Sequence, residues 1–306
     1  MVQQFFYCSQ LSRNVEENTF GTASVGQVWL LVEYTEPWGT HALEDSSLST
    51  DVKNYLNQLI RRIPRARLLF IKQERRRESS FNFFIVRARE RNPFIVRFEL
   101  DDYERLRERY LDVAAVAAGE KTEGAEVLKE PLYLVCTHGK RDKCCAKFGF
   151  PVYKTLREGR DGNVWQSSHV GGDRFAANLI CFPHALFYAH MTDERAREVV
   201  ESYERGRIVL DKFRGRACYS YPVQAAEFFI RRETGITGVE SLRGLSSERV
   251  DDDSWRVRFS SPDGREIHEA VVKRRNSDFQ NYITCGDVER RSVVQFVLDD
   301  YNSAAV

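Results

Sequence analysis

"PLYLVCTHGKRDKCCAKFGF", residues 131–150, decides how this chain is read. The apolar run ending at Cys136 predicts a short buried strand, and the segment from Cys144 onward predicts a helix interrupted by Gly149 and Pro151. Between them lies a loop that gathers Cys136, Cys144 and Cys145 at a strand end and a helix start. Backbone N–H groups at a helix start stabilise thiolates, so the position suits cysteine chemistry. Gly139 gives the loop conformational freedom, and Asp142 is a helix cap or hydrogen-bond acceptor.

The chain has 7 cysteines in 306 residues, an odd number, and its N-terminus lacks a basic region followed by a long apolar core. These features argue against a disulfide framework and for a reducing compartment, where clustered cysteines bind metal or carry redox chemistry. No apolar run approaches membrane-spanning length, so the expectation is a cytoplasmic protein with no membrane contact. The 46 basic and 45 acidic residues nearly cancel. Basic runs such as Arg61-Arg62 and Arg75-Arg76-Arg77 lie beside acidic residues or on helix faces, which predicts solvated surface and no nucleic-acid partner.

Upstream of the quoted stretch, "VWLLVEY" (28–34) reads as a strand and "DVKNYLNQLIRRI" (51–63) as an amphipathic helix stopped by Pro64. "ARLLFIK" (66–72), "FNFFIVRA" (81–88) and "PFIVRFEL" (93–100) are strands, followed by a helix over about 102–117. This β-α-β-β-β-α order approximates the thioredoxin arrangement. After a Gly/Glu/Lys-rich linker near 119–130 the order begins again: the strand and helix of the quoted stretch, the strand "NVWQSSH" (163–169), a hairpin of "FAANLICF" (175–182) and "ALFYAH" (185–190), and a capped helix over 192–206. The predicted class is α/β with a mixed sheet. It comprises a thioredoxin-like unit over 1–118, a second one bearing the site over 130–206, and a small α+β extension over 207–306. In that extension "PVQAAEFFIRRETG" (222–235) predicts a helix and "WRVRFSSPDGREIHEAVVK" (255–273) two strands around Pro262-Asp263-Gly264. "SVVQFVLDDY" (292–301) suits a strand or a short helix.

The second loop, "SSHVGGDRF" (167–175), follows a strand and offers His169 and Asp173. Gly171 and Gly172 between them remove side-chain bulk, which would let the backbone approach a bulky ligand. Each part alone has an ordinary explanation, such as a hydrogen-bonded histidine, a Gly-Gly turn or a packed thiol. Their placement at the ends of adjacent strands makes a site-shaped set.

"CTHGKRDKCCAKFGFPVY", "VWQSSHVGGDRFAANLICFPHALFYAHM" and "GRACYSYPVQAAE" resemble the sucrase/ferredoxin-like family of thioredoxin-like ferredoxins over roughly residues 5 to 235. The resemblance implies a [2Fe-2S] cluster, electron transfer and a redox partner protein. In fungal members two Cys and two His hold the cluster, the histidines coming from H-x-G-G-H, and similarity carries three positions onto Cys136, Cys145 and His169. This sequence departs at the fourth, where Asp173 stands. The preferred reading makes Asp173 an oxygen ligand. The alternatives are that Asp173 orients His169, or that Cys144, His138 or Cys181 completes the set. Imidazole in place of thiolate raises a cluster's potential, and a carboxylate restores negative charge and lowers it.

Gly139, Asp142, Gly171, Gly172 and Arg174 form the expected surround. The family's sucrase label finds no paired-carboxylate glycosidase signal here. Two other functions remain open at this stage: a thiol oxidoreductase or peroxidase using Cys136 with Cys144 or Cys145, and a zinc clamp built from the same Cys, His and Asp residues. Cys181 reads as a buried structural thiol, Cys8 as packing near the terminus, and Cys218 and Cys285 as isolated structural residues.

Overall fold

In the computed structural model, which describes residues 6–74, 79–160 and 162–306, a short helix (α1, Cys8–Asn14) precedes the strand β1 (Val28–Glu33). The run Arg75-Arg76-Arg77 lies outside the described residues. Every residue of β1 is buried, as a strand covered on both faces requires. Helix α2 (Thr50–Arg62) returns the chain to β2 (Ala66–Lys72), parallel to β1. Strand β3 (Phe81–Arg87) then pairs antiparallel with β1 on its other side, β4 (Phe94–Leu100) with β3, and after α3 (Tyr110–Ala118) the short β5 (Glu126–Val127) closes that edge.

The second half repeats these pairings. Strand β6 (Leu132–Cys136) is parallel to β7 (Val164–Ser167) across helix α4 (Lys143–Arg157), and antiparallel to β8 (Leu179–Phe182). Strand β9 (Leu186–Tyr188) follows, then α5 (Asp193–Glu204) and β10 (Phe213–Arg216).

The tandem units expected from the sequence are fused into one sheet. β2 and β7 pair antiparallel, with Ile71 opposite Ser167 and Lys72 opposite Gln166, so a ten-stranded sheet runs in the order β10-β9-β8-β6-β7-β2-β1-β3-β4-β5 among the described residues. Each of these strands would be an open edge in a separate half, and the seam satisfies both. The halves also share a core: Trp29, Leu31 and Phe84 pack with Leu134, Trp165 and Phe182.

Beyond residue 207 the chain carries more than the expected helix and hairpin. Strand β10 joins the large sheet, helix α6 (Tyr221–Thr234) follows it, and β11 (Arg243–Arg249), β12 (Ser254–Ser260), β13 (Glu266–Asn281) and β14 (Arg291–Ala305) form a second, antiparallel sheet. "SVVQFVLDDY" lies in β14, so its strand reading applies. Strand β11 ("RGLSSER") is mostly polar and carries no strand signal that sequence patterning could use.

Helix α6 buries Ala225, Ala226, Phe229 and Ile230 against Val257, Phe259, Ala270 and Val272 of the second sheet. Its buried Glu227 accepts from Arg231 at 2.9 and 3.1 Å and lies 3.5 Å from Arg216 of β10, so an ion network locks the helix to the large sheet. No helix among the described residues is long and apolar enough to cross a membrane.

Two differences from expectation bear on the site. Helix α4 runs unbroken through Gly149 and Pro151, because Pro151 removes only one N–H and Gly149 lets the helix lie directly on the strand it follows. The strand expected over 175–182 is shortened to β8 (Leu179–Phe182), and a 3₁₀ turn (Asp173–Phe175) lies ahead of it.

Burial holds His184 and His190 down at about 3, with nearby Arg216 acting on the first and Arg13 and Lys212 on the second. Both are therefore neutral in the fold, whereas in the unfolded chain they protonate near 6.5. Their contribution is present above about pH 6.5 and is lost as pH falls from there toward 3, by at most about 1.4 kcal/mol per pH unit for each histidine. The urea midpoint measured from pH 7 to pH 5 will fall, and will fall less steeply in a variant with His184→Gln and His190→Gln.

Candidate metal centre

Asp142 is the N-cap of α4: its Oδ1 accepts the Cys144 N–H at 2.8 Å. Capping fixes the first helical turn, where Cys144 and Cys145 are adjacent and project about 100° apart around the axis. Cys136 is the last residue of β6, beneath the helix it leads into. A side chain at Gly149 would overlap the Cys136 carbonyl, so glycine permits this approach. Gly139 does not take a left-handed conformation. A Cβ there would sit 2.7 Å from that of Ala146, so its role is also close packing.

His169 is placed by the seam between the halves. Ser168 exchanges two hydrogen bonds with Phe70 of β2, its Oγ accepting the Phe70 N–H at 3.0 Å and its own N–H donating to the Phe70 carbonyl at 2.7 Å. His138 accepts the His169 N–H at its Nδ1 (3.1 Å), and its Nε2 lies 2.6 Å from the Gly39 carbonyl. Both nitrogens are occupied, which makes His138 a positioning residue for the loop.

Gly171 and Gly172 have φ of 90° and 82°, conformations disfavoured for other residues. Their bareness admits the Ser24 and Arg214 side chains. The buried Arg214 donates to the Gly171 carbonyl at 2.9 Å and to Asn178 Oδ1 at 2.8 Å, while its other nitrogens reach Thr22. Sequence reasoning missed this arginine. Its signal was only proximity to a family-like stretch.

The side-chain donors of Cys136, Cys145 and His169 all lie within 4.8 Å of one another. Cys136 and Cys145 are 1% and 0% exposed, whereas the His169 side chain is 25% exposed and lines a surface groove with His41, Asn57, Arg67, His138 and Arg141. Asp173 stands beside this trio. Its Oδ1 is 3.1 Å from His169 Nδ1 and accepts the Cys145 thiol at 3.5 Å.

The electrostatics suit a cation. The Cys145 thiol and then His169, donating to Cys136, hold that thiol well below its ordinary value. Burial opposes charge on His169, but Asp173 and the Cys136 thiolate outweigh it and keep the imidazole up at about 9. Hydrogen bonding to Cys136, burial and the neighbouring acids push Cys145 up. Two soft sulfur donors and an imidazole are a donor set for zinc or an iron–sulfur cluster, so the residues present fit such a group.

Cys144 and Cys181 do not join this trio. Cys181 is in β8, packed in the core of the second half, and burial raises its thiol. Arg174 turns away, donating to Glu17 at 2.6 Å and covering the Phe175 ring. Cys144 faces a second group with Cys8 of α1 and Cys285 from the β13–β14 connection. The sulfur separations are 3.6 Å for Cys8–Cys144, 3.2 Å for Cys144–Cys285 and 3.5 Å for Cys285–Cys8. The isolated role expected for Cys285 is therefore overturned, and Cys8, packed near the terminus as expected, also has sulfur neighbours: residues 277 positions apart in sequence are brought into contact by the second sheet. Only Cys218, buried at the foot of α6, keeps that reading.

A model of the sucrase/ferredoxin-like family matches residues 19–215. The Meyerozyma guilliermondii protein named Altered inheritance of mitochondria protein 32 is 29% identical over 99 residues, which are 29% of this chain and 35% of that protein. The proteins of the same name from Debaryomyces hansenii and Candida glabrata are 33% identical over 96 residues and 26% over 105, covering 28% and 29% of this chain and 35% and 34% of theirs. The chain thus spans about a third of the length of these relatives. No solved structure matches it.

The packing of α4 on β6 leaves no room at Gly149. Gly149→Ala will push Cys136 away from Cys145, destabilising the chain by about 1–3 kcal/mol in urea unfolding and weakening metal uptake measured by elemental analysis.

Proposed function

The chain belongs to the sucrase/ferredoxin-like family, and from that premise we propose that it is an iron–sulfur redox protein whose [2Fe-2S] cluster is held by Cys136, Cys145 and His169. The carrying observation is the convergence of these donors, the two sulfurs buried and the imidazole partly exposed, on the two motifs that resemble the family's. Asp173 serves from the side: it faces His169 Nδ1 and Cys145, and either fills a remaining oxygen position or fixes the imidazole. When bound, such a cluster supplies one-electron transfer.

The protein's own residues set the terms of that transfer. Buried Cys136 and Cys145 keep water from the sulfur side, and His169, the exposed member, is where an electron or a proton passes to a redox partner docked at the adjoining groove. The proposed location is cytoplasmic, in keeping with seven cysteines that form no disulfide. Dithiol exchange is disfavoured, because Cys136 and Cys145 are 1% and 0% exposed and an incoming thiolate must reach the sulfur it attacks.

One distance favours a second reading. Donor atoms within 4.8 Å of one another suit a single tetrahedral ion, with zinc held by Cys136, Cys145, His169 and a fourth oxygen ligand.

Protein purified anaerobically and analysed for iron, acid-labile sulfide and zinc separates the two. The expected outcome is a coloured protein with about two irons and two sulfides per chain. His169→Ala should change its visible spectrum strongly and Asp173→Ala measurably. A colourless protein holding zinc, with no colour after anaerobic reconstitution, would overturn the iron–sulfur reading.

A further inference from the structure

We propose that Cys8, Cys144, Cys285 and Asp142 form a second, structural metal site that takes a single thiophilic divalent ion, zinc, separate from the Cys136–Cys145–His169 centre. The three sulfurs form a near-equilateral triangle with edges of 3.2, 3.5 and 3.6 Å. A tetrahedral zinc with Zn–S near 2.3 Å places its sulfurs roughly 3.8 Å apart, so a small expansion admits the ion. A disulfide would need about 2.05 Å and would strand the third thiol.

The Asp142 carboxylate closes the set, its oxygens 3.9 and 4.0 Å from the Cys8 sulfur. Each of those oxygens also accepts one backbone N–H, Oδ1 from Cys144 at 2.8 Å and Oδ2 from Cys285 at 2.7 Å, which orients the carboxylate and leaves lone pairs for a cation. The sulfurs are prepared as anions in the same way: the Cys8 N–H points at the Cys285 sulfur and the Ser9 N–H at the Cys144 sulfur, both at 3.4 Å.

Enclosure indicates a structural ion. Cys8 and Cys144 are fully buried, and Phe6, Tyr7, Phe148 and Tyr282 pack around the group. A closed four-donor site has no open position for substrate. Its effect is to tie α1, the start of α4 and the β13–β14 connection together at one point. Cys8 and Cys285 both lie outside the span matched by the family, so the site depends on segments beyond it.

The test uses the whole 306-residue chain, reduced, stripped of metal and titrated anaerobically with Co²⁺, whose visible bands report tetrahedral thiolate ligation. Wild type and His169→Ala should both take up an equivalent with those bands. Cys285→Ser, a change at a partly buried residue in a connection that the core can tolerate, should weaken one equivalent by at least about tenfold. Cys8→Ser should do the same from the opposite end of the chain. Cobalt binding identical in wild type, Cys285→Ser and Cys8→Ser would overturn the proposal. So would an anaerobically isolated chain lighter by two hydrogens because Cys144 and Cys285 are joined as a disulfide.

Discussion

The first turn of α4, capped by Asp142, is the constraint on which both groups of cysteines depend. A helix rotates about 100° per residue, so Cys144 and Cys145, adjacent in sequence, face different neighbours. Cys145 turns toward Cys136 and His169, and Cys144 toward Cys8 and Cys285. Asp142 serves both ends of this arrangement, holding the helix start through Cys144 and drawing the distant Cys285 backbone to the same carboxylate.

Around that turn the large sheet acts as a positioning device. The β2–β7 seam joins the halves, and Ser168, clasped by Phe70, delivers His169 to the cysteine pair. Arg214 from β10 then fixes the glycine loop through the Gly171 carbonyl and Asn178, so a residue over seventy positions beyond Cys136 holds the frame of the site. With no Cβ at Gly149, Gly171 or Gly172, backbone and side chains pack more closely than any other residue type allows. These contacts fix the backbone path of the loop that carries His169 and Asp173.

The three sulfurs of the second group work against one another when no cation is present. Hydrogen bonds from Cys144 and Cys8 hold the Cys285 thiol down at about 2, and in exchange Cys144 is pushed up to about 12 and Cys8 higher still. One thiolate shared by two thiols is the arrangement that an electrophilic ion resolves, by letting all three sulfurs carry charge.

The sequence alone determined the local elements and the first group of donors. Strong periodicity and capping residues marked α2, α5 and α6, and alternating or continuous apolar runs marked β1 to β4 and β6. Cys136, Cys145 and His169 were singled out by the family resemblance, while their placement near element ends made a site-shaped set that left Cys144 and Cys145 both open as partners of Cys136. Tertiary structure decided the rest. The β2–β7 seam is a choice between edges that look alike in sequence, polar β11 owes its pairing to its neighbours, and α4 continues through Pro151 because packing on β6 outweighs one lost hydrogen bond. Cys8 and Cys285 carried no local signal at all. Their meeting with Cys144 is set by long-range strand pairing, and contact between residues 277 positions apart follows from the closed fold, not from any pattern of neighbouring side chains.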